Sequence, residues 1–175
     1  MSVLWLIKNS IKLDLLFIKI SKWPFLKKIY FIAHKYFLII KHTFMPFKLS
    51  QSKTSFMGKD IYYDSRYGLV GYQSMMTRHQ YLIQLANPSK VKTVIDVGAN
   101  VGFFSMLIRD IFPSSKIYSI EPVPLTYSCL KRNLVGDRKT HTYNLGVSDR
   151  PRIAKMNFNS QLSAISQISS AGDID

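Results

Sequence analysis

The segment Thr93-Val94-Ile95-Asp96-Val97-Gly98-Ala99-Asn100-Val101-Gly102-Phe103-Phe104-Ser105 commits the middle of the chain to one kind of local structure. Its apolar run ends in a carboxylate, passes through Gly98 and Gly102, and re-enters an apolar stretch. A buried parallel strand handing over to a helix reads this way. The glycines let the backbone turn tightly and come close to a ligand with no Cβ in the way. A second short apolar run, Lys116 to Ile120, ends at Glu121. At the carboxyl end of a neighbouring strand, an acidic side chain can accept both hydroxyls of a ribose.

The flanking sequence extends this unit. A strand is expected over Val91–Val97, a helix over Gly102–Ile111 stopped by Pro113-Ser114-Ser115, and a strand over Lys116–Ile120. Glu121-Pro122-Val123-Pro124 ends that strand and opens a helix over Leu125–Leu134, proline being favoured in a helix's first turn. His141–Val147 supplies a third strand. Upstream, Asp60 to Tyr72 reads as extended or turn structure, and Gln73–Leu85 as a helix broken by Asn87-Pro88-Ser89. The order β-α-β-α-β is half of a doubly wound α/β sheet.

The turn also limits the ligand. A dinucleotide fingerprint needs G-x-G-x-x-G, and here Asn100 stands where the middle glycine would be. A pyrophosphate would lose its close backbone approach, so a nucleoside cofactor without phosphates fits better. Asp96 can accept hydrogen bonds from such a ligand or tie down the turn.

The residues Val94 to Ser105 resemble the opening motif of FkbM-type methyltransferases, Tyr118-Ser119-Ile120-Glu121-Pro122 resembles their second-strand motif, and Asn144-Leu145-Gly146-Val147-Ser148-Asp149 their third-strand segment. The resemblance covers roughly residues 75–165. It implies a Rossmann-like class I methyltransferase fold that binds S-adenosyl-L-methionine, with Gly98 and Gly102 along the methionine side and Glu121 on the ribose hydroxyls. Asn100 replaces the middle glycine as it does in that family. The implied cofactor-binding set is Asp96, Gly98, Ala99, Asn100, Gly102 and Glu121. The implied reaction is O-methylation of a hydroxyl on a glycan, lipid-linked or natural-product acceptor.

The pattern departs from the family at its far end. Class I enzymes have seven strands, whereas this sequence reaches Asp175 after about three, and residues 157–174 offer at most one more short strand. The fourth-strand motif and the later substrate loops have no counterpart. The expected fold is therefore the N-terminal half of the sheet, with an unpaired edge and one incompletely covered face. The expectation is a fragment or truncated product, with a partial domain over residues 56–175.

Residues 1–55 read differently, as a basic, amphipathic helical extension and linker. Residues 1–56 hold ten lysines against one carboxylate, Asp14, while the rest of the chain carries fourteen basic and nine acidic side chains. The net charge of +14 thus belongs mainly to the extension, and nucleic-acid binding is not expected of the folded part. At 100° per residue, Lys8, Lys12, Lys19 and Lys22 share a sector of roughly 80°, opposite Leu6, Leu13, Phe17 and Ile20. No apolar run is long enough to span a bilayer, and a secretory signal fits poorly. The pattern suits residues 1–48 lying on an anionic membrane surface, with Trp5 and Trp23 at headgroup level and the protein at the inner, cytoplasmic face. The alternative is helices packed on the domain or on a partner subunit with their lysines in water. Pro46 and the polar run Ser50 to Ser55 read as a linker.

No catalytic residue is assigned. His141 lies near the start of a strand, away from the carboxyl ends where chemistry is expected. His34, His42 and His79 have no metal-ligand spacing, and no metal site is expected. Asp149 reads as a turn residue and Cys129 as buried filler. The second functional reading is a non-catalytic membrane-surface or scaffold protein that keeps half a Rossmann sheet.

Overall fold

The computed structural model describes residues 3–20, 24–44, 52–56, 59–64, 86–87, 89–151, 153, 156–157 and 167–168. Two helices come first, α1 (Val3–Ile20) and α2 (Phe25–Phe44), followed by strands β1 (Ser52–Phe56) and β2 (Lys59–Tyr63). The central unit is β3 (Thr93–Val97), α3 (Phe103–Ile111), β4 (Lys116–Ile120), α4 (Pro124–Asn133) and β5 (Thr140–Tyr143). Two short strands, β6 (Met156–Asn157) and β7 (Gln167–Ile168), close the described chain.

The strands β3, β4 and β5 form a parallel sheet in that order, with Asp96 opposite Ser119 and Val97 opposite Ile120. The expected β-α-β-α-β order is present. Two strands are shorter than expected: β3 starts at Thr93 rather than Val91, and β5 stops at Tyr143 rather than Val147. The early stop has a visible cause. Asn144 Nδ2 donates to the carbonyls of Glu121 and Pro122, both at 2.9 Å, which turns the chain across the end of β4.

Alternation sorts the sheet's side chains. Val94, Asp96, Ile117 and Ser119 lie on one face, where Leu107 and Ile108 of α3 pack against Ile117 and Val94. The other face carries Ile95, Val97, Tyr118, Ile120, His141 and Tyr143. Ile95 is 64% exposed and Val97 59%, so this face is open. Tyr118 stacks on His141 and Tyr143 there, with centroids 5.2 and 6.4 Å away. A parallel sheet normally has both faces covered.

The polar run expected as a linker instead contains β1, which pairs antiparallel with β2 from Ser52 opposite Tyr63 to Phe56 opposite Lys59. Thr54, Ile61 and Tyr63 are buried and Lys53 is exposed, an alternation hidden by the serines and lysine of the run. Residues 45–51, including Pro46, and the expected helix over 73–85 with His79 lie outside the described residues.

Both helices of the extension form as expected, and they pack on the domain. Phe17, Phe31 and Leu38 share one apolar core with Ile61, Val101, Phe103, Met106 and Leu130. His34 Nε2 lies 2.8 Å from Thr54 Oγ1 in β1. Phe17, expected opposite the lysine stripe on a lipid-facing side, is fully buried. Lys8, Lys12 and Lys19 are exposed, while the side chains of Trp5, Leu6 and Ile20, and residues 21–23, lie outside the described set. Between the helices, Lys35 Nζ sits 2.5 Å from Asp14 Oδ1 and donates to Ser10 Oγ at 2.6 Å. Tyr36 donates its hydroxyl to Asp14 Oδ2 at 2.6 Å. Burial and that hydrogen bond push the Tyr36 hydroxyl up to about 12. Among the described residues, no helix is long and apolar enough to cross a membrane.

At the amino ends of the strands, Arg109 closes the loops. Its guanidinium donates to Asp137 Oδ2 at 2.7 Å, to the Ser115 carbonyl at 2.8 Å and to Thr140 Oγ1 at 3.2 Å. Burial alone would raise the Asp137 carboxyl, but hydrogen bonds from Arg109, Thr140 and the Lys139 N–H hold it below the ordinary value.

Candidate functional site

The carboxyl ends of β3 and β4 meet at the glycine turn. Gly98 N–H and Ala99 N–H both donate to the carbonyl of Ile120 at 2.9 Å, and Gly102 N–H donates to the Ala99 carbonyl at 2.9 Å. Three residues of the turn have positive φ: Gly98 at 74°, Asn100 at 52° and Gly102 at 92°. Asparagine is among the few side chains that tolerate this region. Asn100 stabilises it locally, its Oδ1 accepting from Val101 N–H at 2.8 Å.

The two glycines serve different ends. A Cβ added at Gly98 would meet nothing within 4 Å. Its backbone therefore borders open space, as a close ligand approach requires. A Cβ added at Gly102 would lie 2.8 Å from Leu130 Cδ1. Glycine at 102 is thus demanded by packing of α3 against α4.

Glu121 is 5% exposed and follows β4 directly. Its Oε2 accepts from Asn100 N–H at 3.0 Å and its Oε1 from Val123 N–H at 2.9 Å. Both oxygens are fixed by backbone donors, and each retains a further lone pair for a hydroxyl. Burial pushes the Glu121 carboxyl above the ordinary glutamate value, and the charges of Asp64 and Asp96 add to the rise. The two backbone donors oppose it.

Asp96 sits at the same edge but faces inward. Ser105 Oγ donates to its Oδ2 at 2.5 Å, and the Ser105 and Ser119 hydroxyls lie 2.7 Å apart. All three residues are buried. Burial raises the Asp96 carboxyl against the lowering effect of the Ser105 bond. Of the two roles open to Asp96 in the sequence, tying down the turn and helix is the one drawn in these contacts.

The sequence reading passed over Asn133. Its Nδ2 donates to the carbonyls of Tyr62 at 2.7 Å and Val101 at 2.8 Å, and its Oδ1 accepts from Tyr62 N–H at 2.8 Å. One buried amide thereby fastens β2 to the glycine turn. A polar residue at a helix end is the only sequence signal for it.

His141 is near the start of β5, stacked on Tyr118. Asp149 accepts from Ser148 Oγ at 3.0 Å on the surface. Cys129 is fully buried, and burial pushes its thiol up to about 12.

A buried, donor-fixed carboxylate thus stands one strand from an open glycine turn. The chain is 38% identical over 63 residues to Methyltransferase sdnD of Sordaria araneosa, covering 36% of this chain and 24% of that protein. It is 33% identical over 60 residues to Methyltransferase 1 of Beauveria bassiana, covering 32% of this chain and 24% of that one. It is 28% identical over 88 residues to the 31-O-demethyl-FK506 methyltransferase FkbM of Streptomyces tacrolimicus, covering 50% and 34%. The matches thus span about a quarter to a third of these relatives' own lengths. No family model matches the chain. No solved structure matches it either. In sequence, the chain is similar to FkbM-type methyltransferases.

Proposed function

We propose that this chain carries the cofactor-binding half of an S-adenosyl-L-methionine-dependent O-methyltransferase. The observation that carries the reading is Glu121, whose two oxygens are oriented by Asn100 N–H and Val123 N–H beside the open Gly98 turn. In this reading Glu121 accepts the ribose hydroxyls, and the Gly98-Ala99 backbone lies along the amino-acid part of the cofactor. Asn100 sets the turn, and Asp96 holds the turn to α3 through Ser105. The cofactor supplies an electrophilic methyl group on a sulfonium. The chain's own part is to bind and orient.

The acceptor is a small molecule or glycan with a free hydroxyl, a reading supported by the 31-O-demethyl-FK506 methyltransferase name of one relative. No described residue is assigned as the base that takes the hydroxyl proton.

Calorimetric titration of the full chain with S-adenosylhomocysteine, the demethylated form of the cofactor, tests the reading. Binding is expected, and Glu121→Ala should weaken it by about 10- to 100-fold, the worth of one or two charge-assisted hydrogen bonds. Only the ionised carboxylate can accept from both hydroxyls. Because the Glu121 pKa is raised, affinity should fall with decreasing pH earlier than an ordinary glutamate would dictate. The ligand-free protein has the opposite sign. A native pKa above the unfolded one gives stability that is complete below the unfolded value and lost as pH rises through the native one. A wild-type protein that folds yet gives no heat with the ligand would favour the scaffold reading.

A further inference from the structure

We propose that the outward faces of α1 and α2 form a docking surface for an anionic lipid bilayer, with α2 supplying the apolar contact. Helix α2 has two apolar stripes. Phe31, Leu38 and Ile39 face the core, whereas Leu26, Ile29, Phe37, Ile40 and Phe44 are exposed. At 100° per residue these five fall within about 80°, and exposed Phe25 and Tyr30 widen the stripe to about 140°, on the side opposite the buried one. A helix whose only task is to cover a core needs one such stripe, and contiguous exposed apolar surface marks an interaction site.

Charge selects the occupant. On α1, exposed Ile11 and Leu15 alternate with exposed Lys8, Lys12 and Lys19. On α2, Lys41 is exposed beside the same stripe as Ile40 and Phe44. Asp14 is the one carboxylate in residues 1–56, and it is buried against Lys35. The exposed charges of both helices are therefore lysines alone among the described residues. Ammonium groups beside apolar side chains match the two layers of a bilayer surface, with phosphates outside and acyl chains within reach beneath. The site differs from the expected arrangement on α1, since Phe17 is spent on the core.

Co-sedimentation of the full chain with vesicles decides it, using phosphatidylcholine alone or mixed with phosphatidylserine. Leu26 is 81% exposed and Phe44 84%, so Leu26→Asp with Phe44→Asp should leave the fold intact by circular dichroism. Wild type should pellet with the mixed vesicles, and this pair should lower the partition coefficient by about tenfold or more. Lys12→Glu with Lys19→Glu should do likewise, with an effect that shrinks as salt rises. Equal partition into neutral vesicles, or variants that pellet like wild type, would overturn the proposal. So would an oligomer, blind to vesicles, that the Asp pair converts to monomers, because the face would then belong to a second copy of the chain. None of these outcomes depends on cofactor binding.

Discussion

Asp14→Ala is expected to cost about 3–5 kcal/mol of folding stability, the typical result of removing one partner of a buried ion pair. The reason lies with Lys35, which is fully buried and has Asp14 Oδ1 at 2.5 Å. Without the carboxylate, its ammonium keeps the Ser10 hydroxyl at 2.6 Å and the Tyr36 ring at 4.5 Å, neither of which carries a negative charge. Burial already pulls the Lys35 pKa down, with Asp14 opposing that shift. Urea denaturation of the variant measures the cost. The control is Asp14→Leu with Lys35→Met, which removes both charges and should recover most of the loss. A single-variant cost under about 1 kcal/mol would mean that Lys35 reaches water and that the pair does not pin the helices.

Gly102→Ala is expected to destabilise by about 2–4 kcal/mol through two separable terms. The residue has φ of 92°, where any Cβ is strained, and the added carbon would lie 2.8 Å from Leu130 Cδ1. Gly98→Ala isolates the first term. It has φ of 74° and nothing within 4 Å, so about 1–2 kcal/mol is expected from strain alone. The Gly98 variant should lose ligand affinity out of proportion to its stability, because its methyl would enter the open side of the turn. The Gly102 variant should lose stability first. Thermal melts and ligand titration on the two proteins separate these outcomes. Equal stability losses at both positions would remove the packing role assigned to Gly102.

What could be read from the sequence follows from how local each signal is. The strand Lys116–Ile120 matches its expected bounds because its apolar run, the proline after it and Glu121 lie within a few residues. The glycine turn was equally plain, and Asn100 at positive φ explains why it could stand where a glycine would serve. Position along the chain did not separate the two glycines. Only the approach of Leu130, from a helix later in the sequence, distinguishes the packed glycine from the one that borders open space. Strand β1 was concealed because Ser52 to Ser55 is polar, and its pairing depends on Tyr62 and Tyr63 across the hairpin. Periodicity treats every lysine as a surface residue, so the Lys35–Asp14 pair, 21 residues apart, had no signature. Asn133 was hidden in the same way, since its partners Tyr62 and Val101 come from distant segments.

Gly98 N–H and Ala99 N–H hang from the carbonyl of Ile120, and Asn100 N–H from the side chain of Glu121. Strand β4 has neighbours on both sides, while β3 has one among the described residues. The turn is therefore tethered to β4, flanked on both sides, although it continues a strand with a single described neighbour. In deuterium, amides exchange through cooperative openings, so residues 98–100 should lose protection together with β4 and more slowly than the β3 amides that face no described strand. Mass spectrometry of overlapping peptides would resolve the difference. Slow exchange at that turn would show a binding surface shaped before its ligand arrives, with little ordering entropy left for binding to supply.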